Sequence, residues 1–586
     1  MSQTSEKKPL SLTDKFFSDN IAILILLLAI PITVILYWYA SQTTAYNDFK
    51  RWVGEAINII WPILLAAPNT IYSIVKTFRQ KILFRNSQAS VKVNKGPKVL
   101  LWILDGCNVQ AFLDVARKNR ELRTMYEEGY FGLCTTIFPS ITPAAHSSLL
   151  TGCYPYKTHV PAFDWVEVKK SFRGEETREY IRVMPDFKHF MTQGTSRKYQ
   201  VEFFKKLGDA FKLNQEYLSS MIYTVFESLG EEKYTVSIKE WIHRGADNFV
   251  GESINASLDE LVQKKVISNN SMMELLNALF KEVDYEFGGL VWGVDSFRQL
   301  ADFMVYWKTG TDTMSHDRGP KSNEVRDEID EAIGKLAETL RFYKMYTNQP
   351  IYVVITSDHS QSEVTQFSGM VADFRGSLGG TYSIADRDDF GNTIKLNSAD
   401  IIVANNDRAV SFYVFGGQEK QGKIREDIVR FLGGRADVDL IMYLENGRGQ
   451  VIQPSTTTGP VDAEVFFSGK EGMYPNALER VYGLLKGDNW GSIVVSMKEG
   501  YSLNLEFKPG KEGEAILNGD HGGLNYNDSI CPLLLWGPTV RKNEKDDRWE
   551  RFRTIDIAPT ICSIFGIEHK EGEGRVLKEL FINNPS

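Results

Sequence analysis

Apolar and polar positions along this chain follow two different rules. Between Ile21 and Ala40 the run IAILILLLAIPITVILYWYA carries no charge, and about twenty such residues span a bilayer as a helix. Trp38 and the tyrosines beside it stand where an interfacial belt would. The run is long for a signal-peptide core, and no small-x-small site follows it, so it reads as an uncleaved anchor. A second uncharged stretch, residues 56–75, carries Pro62, Pro68 and two Asn. It reads as either a second span or an interfacial helix.

From Lys98 onward the rule changes. KVLLWILD (Lys98–Asp105) is a short apolar run ending on an acid, the mark of a buried parallel strand. AFLDVARKNRELRTMYEEG predicts a helix stopping at Gly129. YFGLCTTIF predicts a strand that turns through PSITP into a helix, AAHSSLLTG. The alternation returns as a strand from Asp302 to near Asp312, the charged helix SNEVRDEIDEAIGKLAETLRFYKM, and the strand PIYVVITSDH. ICPLLLWGP and IDIAPTICSIFGI then predict a last strand and a last helix. Such alternation predicts an α/β fold, a mostly parallel sheet sandwiched by helices. Residues from about 163 to 283, largely helical in pattern, and from about 369 to 511, rich in short strands and turns, read as inserted subdomains. The expected organisation is a tail (1–20), a transmembrane helix (21–40), a second transmembrane or interfacial helix (56–75), a basic linker (76–97) and one large domain (98–586).

Charge narrows the partners. The formal net charge is −8, with no basic surface excess, so no nucleic-acid-binding surface is expected. Lysines 7, 8 and 15 precede the first apolar run, and a dense Lys/Arg group follows the second. The positive-inside rule then favours a hairpin with both ends cytoplasmic; the alternative is a single anchor in the cell membrane with the large domain outside. Five cysteines, odd in number and without ligand-type spacing, read as free buried thiols.

The chemistry lies in five separated pieces: LLWILDG (Asp105), PSITPAAHSSLLTG (Thr142), TGTDTMSHDRGP (Asp312, His316), VVITSDHS (Asp358, His359) and NGDHGG (His521). Each alone has an ordinary reading: a capping Asp, a surface His, a glycine turn. Together they supply three Asp, three His and a hydroxyl, and His316, His359 and His521 each stand beside or near an Asp. Such oxygen and imidazole donors suit Zn²⁺, with Mn²⁺ second. A metal pair about 3.5–4 Å apart is a common device for in-line displacement at phosphorus. Thr142 is the candidate nucleophile and also a candidate helix N-cap; Ser140 and Ser147 are its rivals, and His146 reads as structural.

This ordered series resembles the alkaline phosphatase superfamily, in its type I phosphodiesterase/nucleotide pyrophosphatase branch. The resemblance runs from about Val99 to Leu580. It implies an alkaline-phosphatase-like catalytic domain in which Asp105, Thr142, Asp358 and His359 take one metal and Asp312, His316 and His521 the other. It also implies a phosphothreonine intermediate on Thr142. There are departures. The branch's Asn shortly after the nucleophile is replaced here by Pro143-Ala144-Ala145, and Asp520 stands where the branch often has Ser. The first departure argues against a nucleotide substrate. The sulfatase and phosphoglycerate mutase patterns of the superfamily fit poorly around Thr142. The leading expectation is a membrane-anchored phosphohydrolase acting on phosphodiesters or phosphomonoesters, with lipid- or envelope-linked substrates within reach of the anchor. The alternatives are a phospholipid head-group transferase, of phosphoethanolamine or phosphoglycerol type, and a tethered scaffold with a vestigial site.

Overall fold

The computed structural model describes residues 92–170, 176–183, 213–250, 299–389, 392–456, 459–487, 489–503, 518–543 and 551–582. The two predicted membrane segments, 21–40 and 56–75, lie outside them. Among the described residues no helix is long and apolar enough to cross a membrane.

An eight-stranded sheet organises the molecule. Its strands are β1 (Lys98–Leu104), β2 (Tyr130–Thr135), β3 (Thr235–Ile238), β4 (Asn248–Val250), β5 (Phe303–Lys308), β6 (Ile351–Thr356), β7 (Ile530–Trp536) and β8 (Arg551–Arg553), in the spatial order β8-β2-β7-β6-β1-β5-β3-β4. Only β7 runs against the others, pairing antiparallel with β2 and β6. β1 is buried at all seven positions, as a strand covered on both faces must be. Its alternate residues Val99, Leu101 and Ile103 join one core cluster with Leu149 and Leu150 of the helix Thr142–Thr151 and Ile557 and Ile561 of the helix Ile557–Ile564. On the other face the Trp102 indole N–H donates to Ala332 O, 3.1 Å away, in the helix Asn323–Tyr346. The side-chain period of two thus sends β1 into two helical layers.

A second sheet has seven strands, ordered Ile384–Ala385, Ile401–Asn406, Ala409–Val414, Ile493–Met497, Val438–Glu445, Arg448–Ile452 and Val461–Asp462. All its neighbours are antiparallel except the first pair.

Two local expectations need correction. The helix expected to end at Gly129 is two helices, Val109–Lys118 and Arg120–Glu128. Asn119 divides them: its N–H bonds Val115 O and closes the first, and its side chain accepts from Leu122 N and opens the second. The strand before Asp312 stops at Lys308, and Asp312 lies in the first turn of the following helix, Gly310–Arg318. Of the stretch from 163 to 283, read as largely helical, residues 184–212 and 251–283 lie outside the described residues. Its described part holds an antiparallel hairpin, Asp164–Lys170 with Glu176–Arg182, and then β3 and β4 of the main sheet. TVSI and NFV are too brief to register as strands by periodicity; pairing of β3 with β5, Val236 opposite Met304, makes them so.

Candidate active site

Parallel strands end on the same side of a sheet, and open α/β sheets bind ligands there. Asp105 follows β1 directly, and Ser357, Asp358 and His359 follow β6. The helix after β5 carries Asp312 and His316 one turn apart, their side chains 3.4 Å from each other. Thr142 opens the helix after β2. It is the first helical residue, not the cap: Ile141 holds the cap position and Pro143 follows. Proline has no N–H to lose there, so the helix starts without a side-chain cap.

The seven predicted residues converge. His359 Nε2 lies 3.1 Å from Thr142 Oγ1, 3.5 Å from Asp105 Oδ1 and 3.2 Å from Asp358 Oδ2. The His359 and His521 rings stack with centroids 3.8 Å apart, and His316 lies 5.2 Å from His521. His521 Nε2 is 3.7 Å from Asp312 Oδ1. Donor atoms gather in three overlapping sets: Asp105, Asp358 and His359; Asp312, His359 and His521; and His316, Asp520 and His521. The rival hydroxyls are engaged elsewhere, Ser147 on Pro143 O at 2.7 Å and Ser140 on Gly523 O at 3.1 Å.

Electrostatics in this cluster call for cations. Three carboxylates crowd together, and among the described residues the basic groups facing them are histidines, with no Lys or Arg. Asp105 Oδ1 and Asp358 Oδ2 are buried without a hydrogen-bond partner. Buried carboxylates are costly unless paired or metal-bound. Burial, then the nearby Asp358 and Asp312, pushes the Asp105 carboxyl well above its usual range. Burial also lifts Asp312, to about 6, against the pull of His521. Burial opposes ionisation of Asp358, yet His359, His146 and the Gly106 N–H hold it below the ordinary carboxylate range. Burial drives His359 down to about 3, so its ring is neutral and free to donate a lone pair.

The other nitrogens are spoken for. His316 Nδ1 lies 2.8 Å from Gly519 O, His521 Nδ1 2.9 Å from Ser140 O and His359 Nδ1 3.2 Å from Ser360 O. Each contact fixes a tautomer that leaves Nε2 facing the cluster. The donor set fits divalent cations.

Several neighbours complete the surroundings, and of these the sequence did not point to Gln361, Asp407 or Glu240. Gln361 Nε2 donates to Asp312 Oδ1. Asp407, at the turn between two strands of the second sheet with φ +57°, brings Oδ2 within 3.9 Å of His521 Nε2. Its only signal was the turn sequence NND. Asp520 is buried, accepting from Ser502 Oγ and from His521 N, and burial followed by Asp407 raises its carboxyl well above the usual range. His146 holds Glu240 and faces Asp358; burial works against its protonation, but Glu240 and then Asp358 lift it to about 10. Cys107 is buried and its thiol is pushed up by burial, and all five cysteines are free and buried.

Fold and site together define a class: α/β proteins whose parallel-sheet edge holds an acid-and-imidazole centre suited to divalent cations. The family profile of type I phosphodiesterase / nucleotide pyrophosphatase matches residues 99–524. The chain belongs to that metal-dependent family and is a phosphoric ester hydrolase. Among solved structures it is similar to murine ectonucleotide pyrophosphatase / phosphodiesterase 5, at 13% identity and a TM-score of 0.51, covering 83% of this chain and 100% of that one. An inactive threonine-to-alanine variant of that protein, in complex with AMP, matches at 13% identity and a TM-score of 0.50, with the same coverage. At these identities the likeness concerns the fold. No curated protein matches the sequence.

Proposed function

We propose that this chain is a membrane-anchored phosphodiester hydrolase that works through a phosphothreonine on Thr142 with two divalent ions, Zn²⁺ by preference and Mn²⁺ second. One ion would be held by Asp105, Thr142, Asp358 and His359, the other by Asp312, His316 and His521. When bound, the pair supplies positive charge at the reacting phosphate and lowers the pKa of hydroxyl and water.

The observation that carries the reading is the place of Thr142. Its hydroxyl opens a buried helix and lies 3.1 Å from His359 Nε2, beside carboxylate oxygens that lack partners. A helix N-terminus favours a phosphoryl group through its dipole and its unbonded N–H groups. Thr142 Oγ attacks phosphorus and gives up its proton, the bond to the leaving oxygen breaks, and the departing alkoxide takes up a proton. Water then attacks phosphorus, the P–Oγ bond breaks, and the threonine hydroxyl is restored. A threonine is also what was replaced in the inactive relative seen with AMP. Asp407 supports the diester over the monoester. Its carboxylate beside His521 adds negative charge, which opposes a dianionic monoester more than a monoanionic diester. The anchor rests on the apolar run 21–40 alone and places lipid- or envelope-linked esters within reach.

The test is hydrolysis of bis-p-nitrophenyl phosphate against p-nitrophenyl phosphate by the zinc-loaded full chain. The diester should be preferred. Thr142→Ala should abolish turnover while zinc content stays near normal. Retained turnover would give the nucleophile's role to another residue. Two bound metals with neither ester cleaved would point to a head-group transferase instead.

A further inference from the structure

Two buried residues outside the predicted ligand set converge on one ligand. Glu240 lies just beyond β3, after Lys239 turns the backbone with φ +61°. Its Oε1 accepts from Ile242 N at 3.0 Å, and its Oε2 lies 2.7 Å from His146 Nδ1. His146 sits one turn after Thr142 on the same helix, and its Nε2 lies 3.3 Å from Asp358 Oδ2. His146, Glu240 and Asp358 are all fully buried. The imidazole packs edge-on against Trp307, centroids 4.8 Å apart, and Trp307 in turn against Trp241 at 5.1 Å.

We infer that His146 and Glu240 are positioning residues: a buried carboxylate–imidazole brace that fixes the Asp358 carboxylate and its distance from Thr142. The inference rests on the ligand role proposed for Asp358. Stability is a poor explanation for the pair, because a buried ion pair replaced by well-packed apolar groups is often neutral or stabilising. A purely structural histidine would account for the Nδ1–Glu240 contact. It would not account for Nε2 facing Asp358 Oδ2, an oxygen with no hydrogen-bond partner. Thr142 and His146 are four residues apart and so share one helix face. The brace therefore links the helix bearing the nucleophile to the turn after β6, and Glu240 anchors it to β3. Glu240 holds the ring at Nδ1, and that sets Nε2 against Asp358 Oδ2 at 3.3 Å. Outer partners of this kind orient metal ligands elsewhere.

Zinc titration of the full chain against a chromophoric chelator tests this. Wild-type protein should bind two equivalents. Glu240→Ala and His146→Phe should weaken one equivalent by about 10–100-fold, the usual effect of losing such a partner, and leave the other unchanged. Glu240→Gln, which keeps an oxygen for Nδ1, should recover most of the loss. Cobalt substitution should show the same selectivity, with one of two sets of visible bands displaced in Glu240→Ala. Should His146→Phe fail to fold, the two Glu240 variants carry the comparison. Folded variants that bind both equivalents as wild type does, or lose both alike, overturn the brace and leave the ligand reading intact. A wild-type chain that binds no zinc overturns both.

Discussion

Gly106 connects the two halves of the site, and replacing it with alanine makes a quantitative prediction. Its φ is +61°, and its N–H donates to Asp358 Oδ1 at 3.1 Å. A Cβ there would stand 2.7 Å from Asp312 Oδ1, 3.1 Å from Gln361 Nε2 and 3.2 Å from Asp312 Cα. The left-handed conformation costs a non-glycine residue about 1–2 kcal/mol. The contact with Oδ1 is about 0.7 Å short of ordinary van der Waals separation. Rotating Asp312 relieves it poorly, since Gln361 holds the same oxygen and the Asp312 backbone is itself close. Asp312 must therefore shift, and a misplacement on the order of 1 Å costs about 100-fold in rate. Gly106→Ala should lower kcat on bis-p-nitrophenyl phosphate by about 10–100-fold and weaken zinc binding, for a loss of about 1–2 kcal/mol in folding stability. Gly96→Ala is the control. Its φ is +103°, but nothing lies within 4 Å of the added Cβ. It should cost stability and leave kcat alone. A folded Gly106→Ala chain with wild-type kcat and zinc affinity would refute the reasoning.

Other consequences follow from the same electrostatics. In the metal-free chain burial lifts Asp312 from the ordinary 3.8 to about 6, so between these values the folded state holds a proton that the unfolded state has lost. That contribution to stability is present at low pH and is lost as pH rises through about 6, the reverse of an ordinary paired carboxylate. Zinc must displace the proton, so its affinity should climb between pH 5 and 7, with calorimetric heats that depend on the buffer; a flat profile would contradict the assignment of Asp312. Arg408 and Asp528 form a fully buried ion pair, and Arg408 also donates to Tyr501 O and Lys498 O. Arg408→Ala should cost about 3–5 kcal/mol in denaturant unfolding, because Asp528 would be left buried and unpaired; a loss under about 1 kcal/mol would mean that water replaces the guanidinium.

What could be read from the sequence, and what could not, divides by the range of the signal. β1 and β6 were legible because strands covered on both faces are continuous apolar runs, and the acid at each end breaks the run. The family was legible because five such pieces come in a fixed order, and the profile match over residues 99–524 agrees. Asn119 hid its helix break because its neighbours on both sides keep a helical period, and only the paired caps reveal it. Contacts set by sheet pairing leave no local trace. β3 has four residues and acquires its place from its register against β5; Glu240 follows from that place, and His146, 94 positions earlier in the chain, follows from the helix after β2. Asp407 depends on a longer chain of causes. It sits in the turn of a hairpin whose strands pair Asn406 with Ala409. The next residue, Arg408, donates its N–H to His521 O at 3.1 Å and pairs with Asp528, ahead of β7. One turn thus ties the second sheet to the loop that carries His521. The residues read from sequence are those whose own strand or helix delivers them to the sheet edge. Those missed reach the centre through a partner element, and Glu240 and Asp407 are of that kind. The chemistry was therefore more legible than the supports that orient it.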